Sequence, residues 1–401
     1  MEIIKFLKVA SVSAIISLAT MSSASAQSET APLKIGVPLP LTGPLAGGGR
    51  MILEGIKFAA HEANNKGGVL GRQIELIIDD TKGEPNTAAG IAARMANQQK
   101  VYAFVGGYGS TPDFAMLQSV KRTKPLFIHV GSSSVKIEET FGAEPWYHHI
   151  YIVDYHRQKA VAAFLESITP KPKTVAIAYE DGLYGSDAIK FSDEYLTKAG
   201  FDIVMKEPYK TGSPDLSPIA NRVHVLDPDV FFFVGYSGDN IQIVRQQHEL
   251  GIEPKLTLIV SAGEKREDFG AFGNGVAVIG EWAPEQKTEG LDEFLARITP
   301  ALSANTKVLP TVVMGYTGMQ TLIEAIERTG SIDQEKVLAE LDTGKFKTPF
   351  GEVSYGDGDR GGKHQLLSEK NLVAWQYRES GQQVVWPKDK ANGELAYPVG
   401  K

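Results

Sequence analysis

The sequence predicts an α/β protein built from two doubly wound parallel-sheet lobes joined by several chain crossings. Three observations lead there. Short apolar runs alternate with longer amphipathic ones from residue 33 to 131, and a second such series runs from 173 to 261. Strands separated by helices imply right-handed crossovers and a parallel sheet covered on both faces. The 401 residues also exceed what one core of ordinary size holds.

In the first series "LKIGVPLPL" reads as a strand and "GRMILEGIKFAAHEANN" as a helix. "QIELIIDD", "VYAFVGG" and "LFIHVG" follow as strands, with "TAAGIAARMANQQ" and "PDFAMLQSVKRT" as the helices between them. The second series repeats the pattern in type, not in sequence: strands "KTVAIAYE", "FDIVMKEPY", "DVFFFVGY" and "KLTLIVS" alternate with helical stretches. "EPWYHHIYIVDYHRQ" must carry the chain from one lobe to the other. Beyond it, "GVAVIGEW" reads as a strand, and "LDEFLARI", "TVVMGYTGMQTLIEAIERT" and "DQEKVLAELD" as helices. The tail from Phe350 to Pro387 alternates like a β-ribbon. These leftovers complete the earlier lobes, which gives lobe 1 residues 32–152 plus about 285–362, and lobe 2 residues 153–284 plus about 363–401. Several crossings between two lobes make a hinge.

Composition excludes several function classes. Residues 1–26 carry Lys5 and Lys8, an apolar stretch from Val9 to Met21, and Ala24-Ser25-Ala26, the pattern of a cleavable secretory signal. Cleavage after Ala26 takes the net charge from −7 to −8, since Lys5, Lys8 and Glu2 leave together. An acidic exported chain lacks the clustered positive charge that phosphate neutralisation needs, so nucleic acid is not expected as a partner. The absence of cysteine removes disulfides, thiolate metal sites, cysteine catalysis and a lipid-modified cysteine. The expected location is the periplasm, free of the membrane, as a monomer.

The stretch "FVGGYGSTPDFAMLQ" is the most informative. Its glycine-rich turn is able to cradle an anion, expose a nucleophile or reverse the chain. In doubly wound sheets ligands sit beyond the carboxyl ends of strands, near helix N-termini. Ser110-Thr111-Pro112-Asp113 reads as a helix start, with a hydroxyl cap followed by proline. Free N–H groups there suit an anion. The next strand ends in Gly131-Ser132-Ser133-Ser134, a second hydroxyl-rich turn at the same edge. Serine and glycine are ordinary turn residues, but two such turns at successive strand ends point to a carboxylate site.

"KIGVPLPLTGPLA", "GIKFAAHEANNKGGVLGRQIELIIDD", "YEDGLYGSDA" and "LDPDVFFFVGY" resemble the leucine/isoleucine/valine-binding branch of the type I periplasmic binding proteins. The resemblance runs from about Leu33 to the C-terminal ribbon. It implies a clamshell that captures a small carboxylate or amino acid and delivers it to an inner-membrane permease driven by a cytoplasmic ATPase, without cofactor or catalysis. It also implies that Ser110, Gly131 and Ser133 receive the ligand carboxylate, that Tyr184 and Tyr236 close over it, and that Asp154 stands at the first hinge crossing. The glutamate that grips an α-ammonium in amino-acid binders aligns with Ala262, leaving Glu264 two residues on as its replacement. An aromatic wall of the first lobe is replaced by Gly47-Gly48-Gly49, which predicts a larger pocket or an aromatic ligand. The same clamshell also serves ligand-sensing modules.

An enzyme is not expected. "GGYGST" is not a nucleophile elbow, and nothing in the spacing recommends His129 and Asp154 as triad partners of Ser110. No metal site is expected either. His148 and His149 are adjacent on a strand and point to opposite faces, and "DGDRGG" from Asp357 lacks the glutamate of a calcium loop.

Overall fold

The computed structural model describes residues 31–285, 288–303, 306–356 and 362–399. The expected signal segment lies outside the described residues, as does most of "DGDRGG". The first lobe's strands are β1 (Leu33–Leu39), β2 (Ile74–Asp80), β3 (Ala103–Gly106), β4 (Leu126–His129) and β5 (Tyr147–His149). They form one parallel sheet in the order β2-β1-β3-β4-β5. The second sheet holds β6 (Thr174–Glu180), β7 (Asp202–Tyr209), β8 (Val230–Val234), β9 (Thr257–Val260) and β10 (Ala277–Gly280). β11 (Phe346–Thr348) and β12 (Gly351–Val353) make a separate hairpin. β13 (Val373–Arg378) then joins the second sheet antiparallel to β10, and β14 (Gly381–Trp386) pairs antiparallel with β13, in the order β14-β13-β10-β9-β8-β6-β7.

The helices are α1 (Ala46–Asn65), α2 (Pro85–Arg94), α3 (Ser110–Val120), α4 (Val135–Phe141), α5 (Asp154–Ser167) and α6 (Leu183–Lys198). After them come α7 (Ser217–Leu226), α8 (Ser237–Glu249), α9 (Leu291–Ile298), α10 (Pro310–Thr329) and α11 (Gln334–Thr343). No helix among the described residues is long and apolar enough to cross a membrane.

Central strands such as β8, "VFFFV", are buried along their whole length. This is the signature of a parallel strand covered on both faces, where alternation is lost. The late helices return to the first lobe. α10 packs along α1 so closely that a Cβ at Gly55 would sit 2.0 Å from the Val312 carbonyl oxygen, and one at Gly315 would sit 2.1 Å from that of Ile52. Both glycines are therefore dictated by helix–helix approach.

The tail differs from a single ribbon. Its first part closes on itself as β11–β12, and only β13–β14 extends a sheet. Between them the chain runs beside β5: His149 N–H donates to the His364 carbonyl and Leu366 N–H to that of His149, both at 2.8 Å. The return crossing into the second sheet thus follows Leu366, alongside the outward crossing Ile150–Val153 that leads into α5.

Candidate functional site

The cleft is built where β3 and β4 end. Gly107 and Gly109 take φ of 90° and 102°, the left-handed region that glycine tolerates without a Cβ penalty. The turn is tied by Asp113 instead of a hydroxyl cap. Its carboxylate accepts from Tyr108 N–H at 3.1 Å, from Ser132 Oγ at 2.5 Å and pairs with His129 Nε2 at 2.9 Å. α3 starts at Ser110 itself, with Gly109 at the cap position. Among the described residues nothing hydrogen-bonds the Ser110 hydroxyl, whereas a capping serine would have spent it on the helix.

Ser110, Gly131, Ser133, Tyr184, Tyr236 and Ala262 line one cavity, together with Tyr108 and Tyr151. The cavity holds about 20 Å³, room for roughly one water. The lobes are shut over it. Tyr108 Oη donates across the cleft to the Ala262 carbonyl at 3.0 Å, Ser134 Oγ reaches Asp187 at 2.6 Å, and Leu183 N–H donates to Thr111 Oγ1 at 3.1 Å. The rings of Tyr108 and Tyr184 pack against Tyr236 at centroid distances of 5.8 and 5.5 Å. Burial pushes the phenols of Tyr108, Tyr184 and Tyr236 well above their ordinary value, so they remain neutral donors.

The triple glycine does not leave a void. A Cβ on Gly48 would lie 2.2 Å from the Tyr108 ring, so Tyr108 occupies the space that the missing side chain vacates. The expectation of an enlarged pocket is corrected accordingly: the aromatic wall has moved from α1 to the β3 turn. Tyr108 lies inside the stretch the sequence singled out, and its ring was the overlooked signal there.

Asp154 and Glu264 stand behind the cavity. Asp154 opens α5, accepts from Ser133 Oγ at 3.1 Å and pairs with Arg157 at 2.8 Å. Arg157, fully buried, also pairs with Glu281 at 2.7 Å and lies over the Tyr151 ring. Burial pushes the Asp154 carboxyl up, to about 7, against the opposing pull of Arg157. Glu264 curls back on its own turn, accepting from Ala262 N–H at 3.0 Å and Asn240 Nδ2 at 3.2 Å. Burial pushes its carboxyl up to about 7 as well.

The histidines do other work. His129 bonds Asp113 and the Tyr147 hydroxyl, each at 2.9 Å, and does not serve Ser110. His149 Nε2 donates to the Ser132 carbonyl at 2.7 Å, while its Nδ1 pairs with Glu138 at 2.6 Å. His148 pairs with Asp342 at 2.8 Å.

Comparison with known proteins agrees with this architecture. The Leu/Ile/Val-binding protein homolog 7 of Brucella abortus (strain 2308) is 25% identical, over 95% of this chain and 99% of its own. A leucine-binding protein from Thermotoga maritima superposes with a TM-score of 0.76 at 23% identity, covering 88% of this chain and 97% of that one. A solute-binding protein of an ABC transporter from Rhodopseudomonas palustris, solved with 3,4-dihydroxybenzoic acid, gives 0.75 at 20% identity, covering 90% and 94%. The family model described as "Periplasmic binding protein" matches residues 32–370, and the chain belongs to that family.

Proposed function

We propose that this chain captures a small carboxylate-bearing solute by lobe closure in the periplasm and presents it to an inner-membrane ABC permease. The observation that carries the reading is the cavity itself. A hydroxyl with no hydrogen-bond partner among the described residues, Ser110, stands at the N-terminus of α3, and tyrosines from both lobes close around it. A helix N-terminus favours an anion, and tyrosine offers an apolar face with a polar tip. In this shut arrangement the cavity is far below the roughly 300 Å³ of an ordinary ligand site. The solute therefore enters the open form and is held as Tyr108, Tyr184 and Tyr236 refit around it. Closure follows only where the solute binds the shut state better than the open one.

Within that class, we favour an acid without an ammonium group. Glu264 and Asp154, the two acids placed to hold an ammonium, are both occupied by protein donors. An ammonium left without a partner in a closed site is costly. The solved relative with 3,4-dihydroxybenzoic acid shows that the fold accepts an aromatic acid.

The test is a thermal-shift screen of ligand-stripped protein. It pairs leucine and phenylalanine with 4-methyl-2-oxopentanoate and 3-phenylpropanoate, and adds benzoate. A native-state ligand at a hundred times its Kd adds about 2.7 kcal/mol. The acids are expected to raise Tm while the amino acids leave it unchanged. Stabilisation by the amino acids alone would return the ammonium grip to Glu264 or Asp154. Stabilisation by neutral solutes alone would remove the carboxylate reading.

A further inference from the structure

We propose that His148, Asp342 and His364 bind one divalent transition-metal ion, with zinc the best match, on the first lobe beside the hinge. The three residues come from separate places. His148 is the middle residue of β5, Asp342 lies in the last turn of α11, and His364 sits on the segment that runs beside β5. Their ligand atoms all lie within 4.8 Å of one another. His148 Nε2 is 2.8 Å and His364 Nδ1 is 2.7 Å from the same oxygen, Asp342 Oδ1. Tyr355 packs edge-on against the His148 ring at 4.9 Å and restrains its orientation.

Two imidazoles and one carboxylate suit zinc, cobalt or nickel, while calcium and magnesium prefer all-oxygen sets. Zinc takes nitrogen and oxygen ligands at about 2.0–2.2 Å, which in tetrahedral geometry spaces ligand atoms roughly 3.3 Å apart. The present contacts therefore need to spread by about half an ångström. Each ring would ligate as the neutral imidazole, with its single proton moved to the other ring nitrogen. The +2 ion then meets one carboxylate charge. The Asp342 side chain is 36% exposed while that of His148 is fully buried, so the ion is reached from the Asp342 side and a water completes its shell there. The strand carrying His148 leads directly into Ile150–Val153, and the segment carrying His364 continues toward β13. A bound ion would thus pin the first-lobe ends of two hinge crossings to α11, away from the solute cleft.

The experiment uses tag-free, chelator-stripped full chain, titrated with zinc by calorimetry and with cobalt by visible absorption, alongside thermal shift. One ion per chain, a zinc-dependent rise in Tm and the absorption of a low-symmetry cobalt site are expected. Asp342→Asn and His364→Ala, each checked for folding by circular dichroism, should weaken zinc by at least about tenfold, as loss of even an outer-shell partner does. His61→Ala and His224→Ala, on exposed histidines elsewhere, should leave it unchanged. No binding by the stripped wild type, or binding that survives both site variants, overturns the proposal and leaves the three residues as a hydrogen-bonded strut.

Discussion

The two walls of the cleft each carry two tyrosines and differ in their hydroxyl donors: three serines line the first-lobe wall and one, Ser261, the second. The first-lobe wall sets Tyr108 and Tyr151 beside Gly109, Ser110, Gly131, Ser132 and Ser133. The second-lobe wall sets Tyr184, in the first turn of α6, and Tyr236, which precedes α8, beside Gly235, Ser261 and Ala262, and Tyr108 reaches over from the first lobe to Tyr236 and the Ala262 carbonyl. The difference separates two tasks. Under the proposed function, donors at a helix start would select the charge of what enters, and large rings with few torsions its shape. Behind the cavity, a floor of Asp154, Arg157 and Glu281 ties Ser133 of the first wall, through α5, to the end of β10.

That contrast is open to breakage, and the floor should break hardest. Arg157→Ala strands two buried carboxylates, which typically costs about 3–5 kcal/mol; urea unfolding should show a loss of that order, and a loss under 1 kcal/mol would mean that the carboxylates do not need the guanidinium. Next comes Glu264. Its carboxyl is raised from 4.5 to about 7 in the folded chain, so the folded state holds the proton over that range while the unfolded state has released it. Stability should therefore fall as pH rises from about 4.5 to about 7, by up to about 3 kcal/mol at about 1.4 kcal/mol per pH unit. Glu264→Gln should flatten that portion of the profile, and an unchanged slope would assign it to other groups.

Ser110→Ala removes a hydrogen bond to a charged ligand, worth about 1.5–3 kcal/mol. Affinity for the acid found in the screen should drop roughly 10- to 150-fold by calorimetry; unchanged affinity would move the carboxylate elsewhere. Tyr108→Phe keeps the ring on Gly48 and loses only the cross-cleft bond to Ala262. It should shift the ligand-free chain toward the open state by about 0.5–1.5 kcal/mol, seen as a larger radius of gyration in solution scattering. A larger effect on binding than on that equilibrium would make Tyr108 a ligand contact in its own right.

Much of the scaffold was legible because its signals are local. Apolar runs, helix periodicity and glycine–serine turns each span a few residues, and the strands and helices of the two alternating series fall where those signals place them, whereas α4 and α5 lie in the stretch between the series, where the sequence marks only a crossing. The ribbon was read too broadly, since alternation over Phe350 to Pro387 does not reveal that β12 turns back onto β11. In the cleft, Ser110, Gly131, Ser133, Tyr184, Tyr236 and Ala262, named by the two turns and the family resemblance, line one cavity. The direction of the Glu264 carboxylate was not legible, because a buried acid in a turn takes whichever donors packing leaves within reach.

The sequence by itself determined the kind and order of the elements in the two alternating series and the two donor-rich turns, for these depend on neighbours within a few residues. Only the tertiary structure decided that Tyr108 fills the space above Gly48, that Arg157 joins Asp154 to Glu281, and that His148, Asp342 and His364 meet. Those partners lie from 3 to more than 200 residues apart, and no periodicity encodes which way a side chain turns once two helices and a sheet edge have been pressed together. Close packing makes that choice, and it does so one side chain at a time.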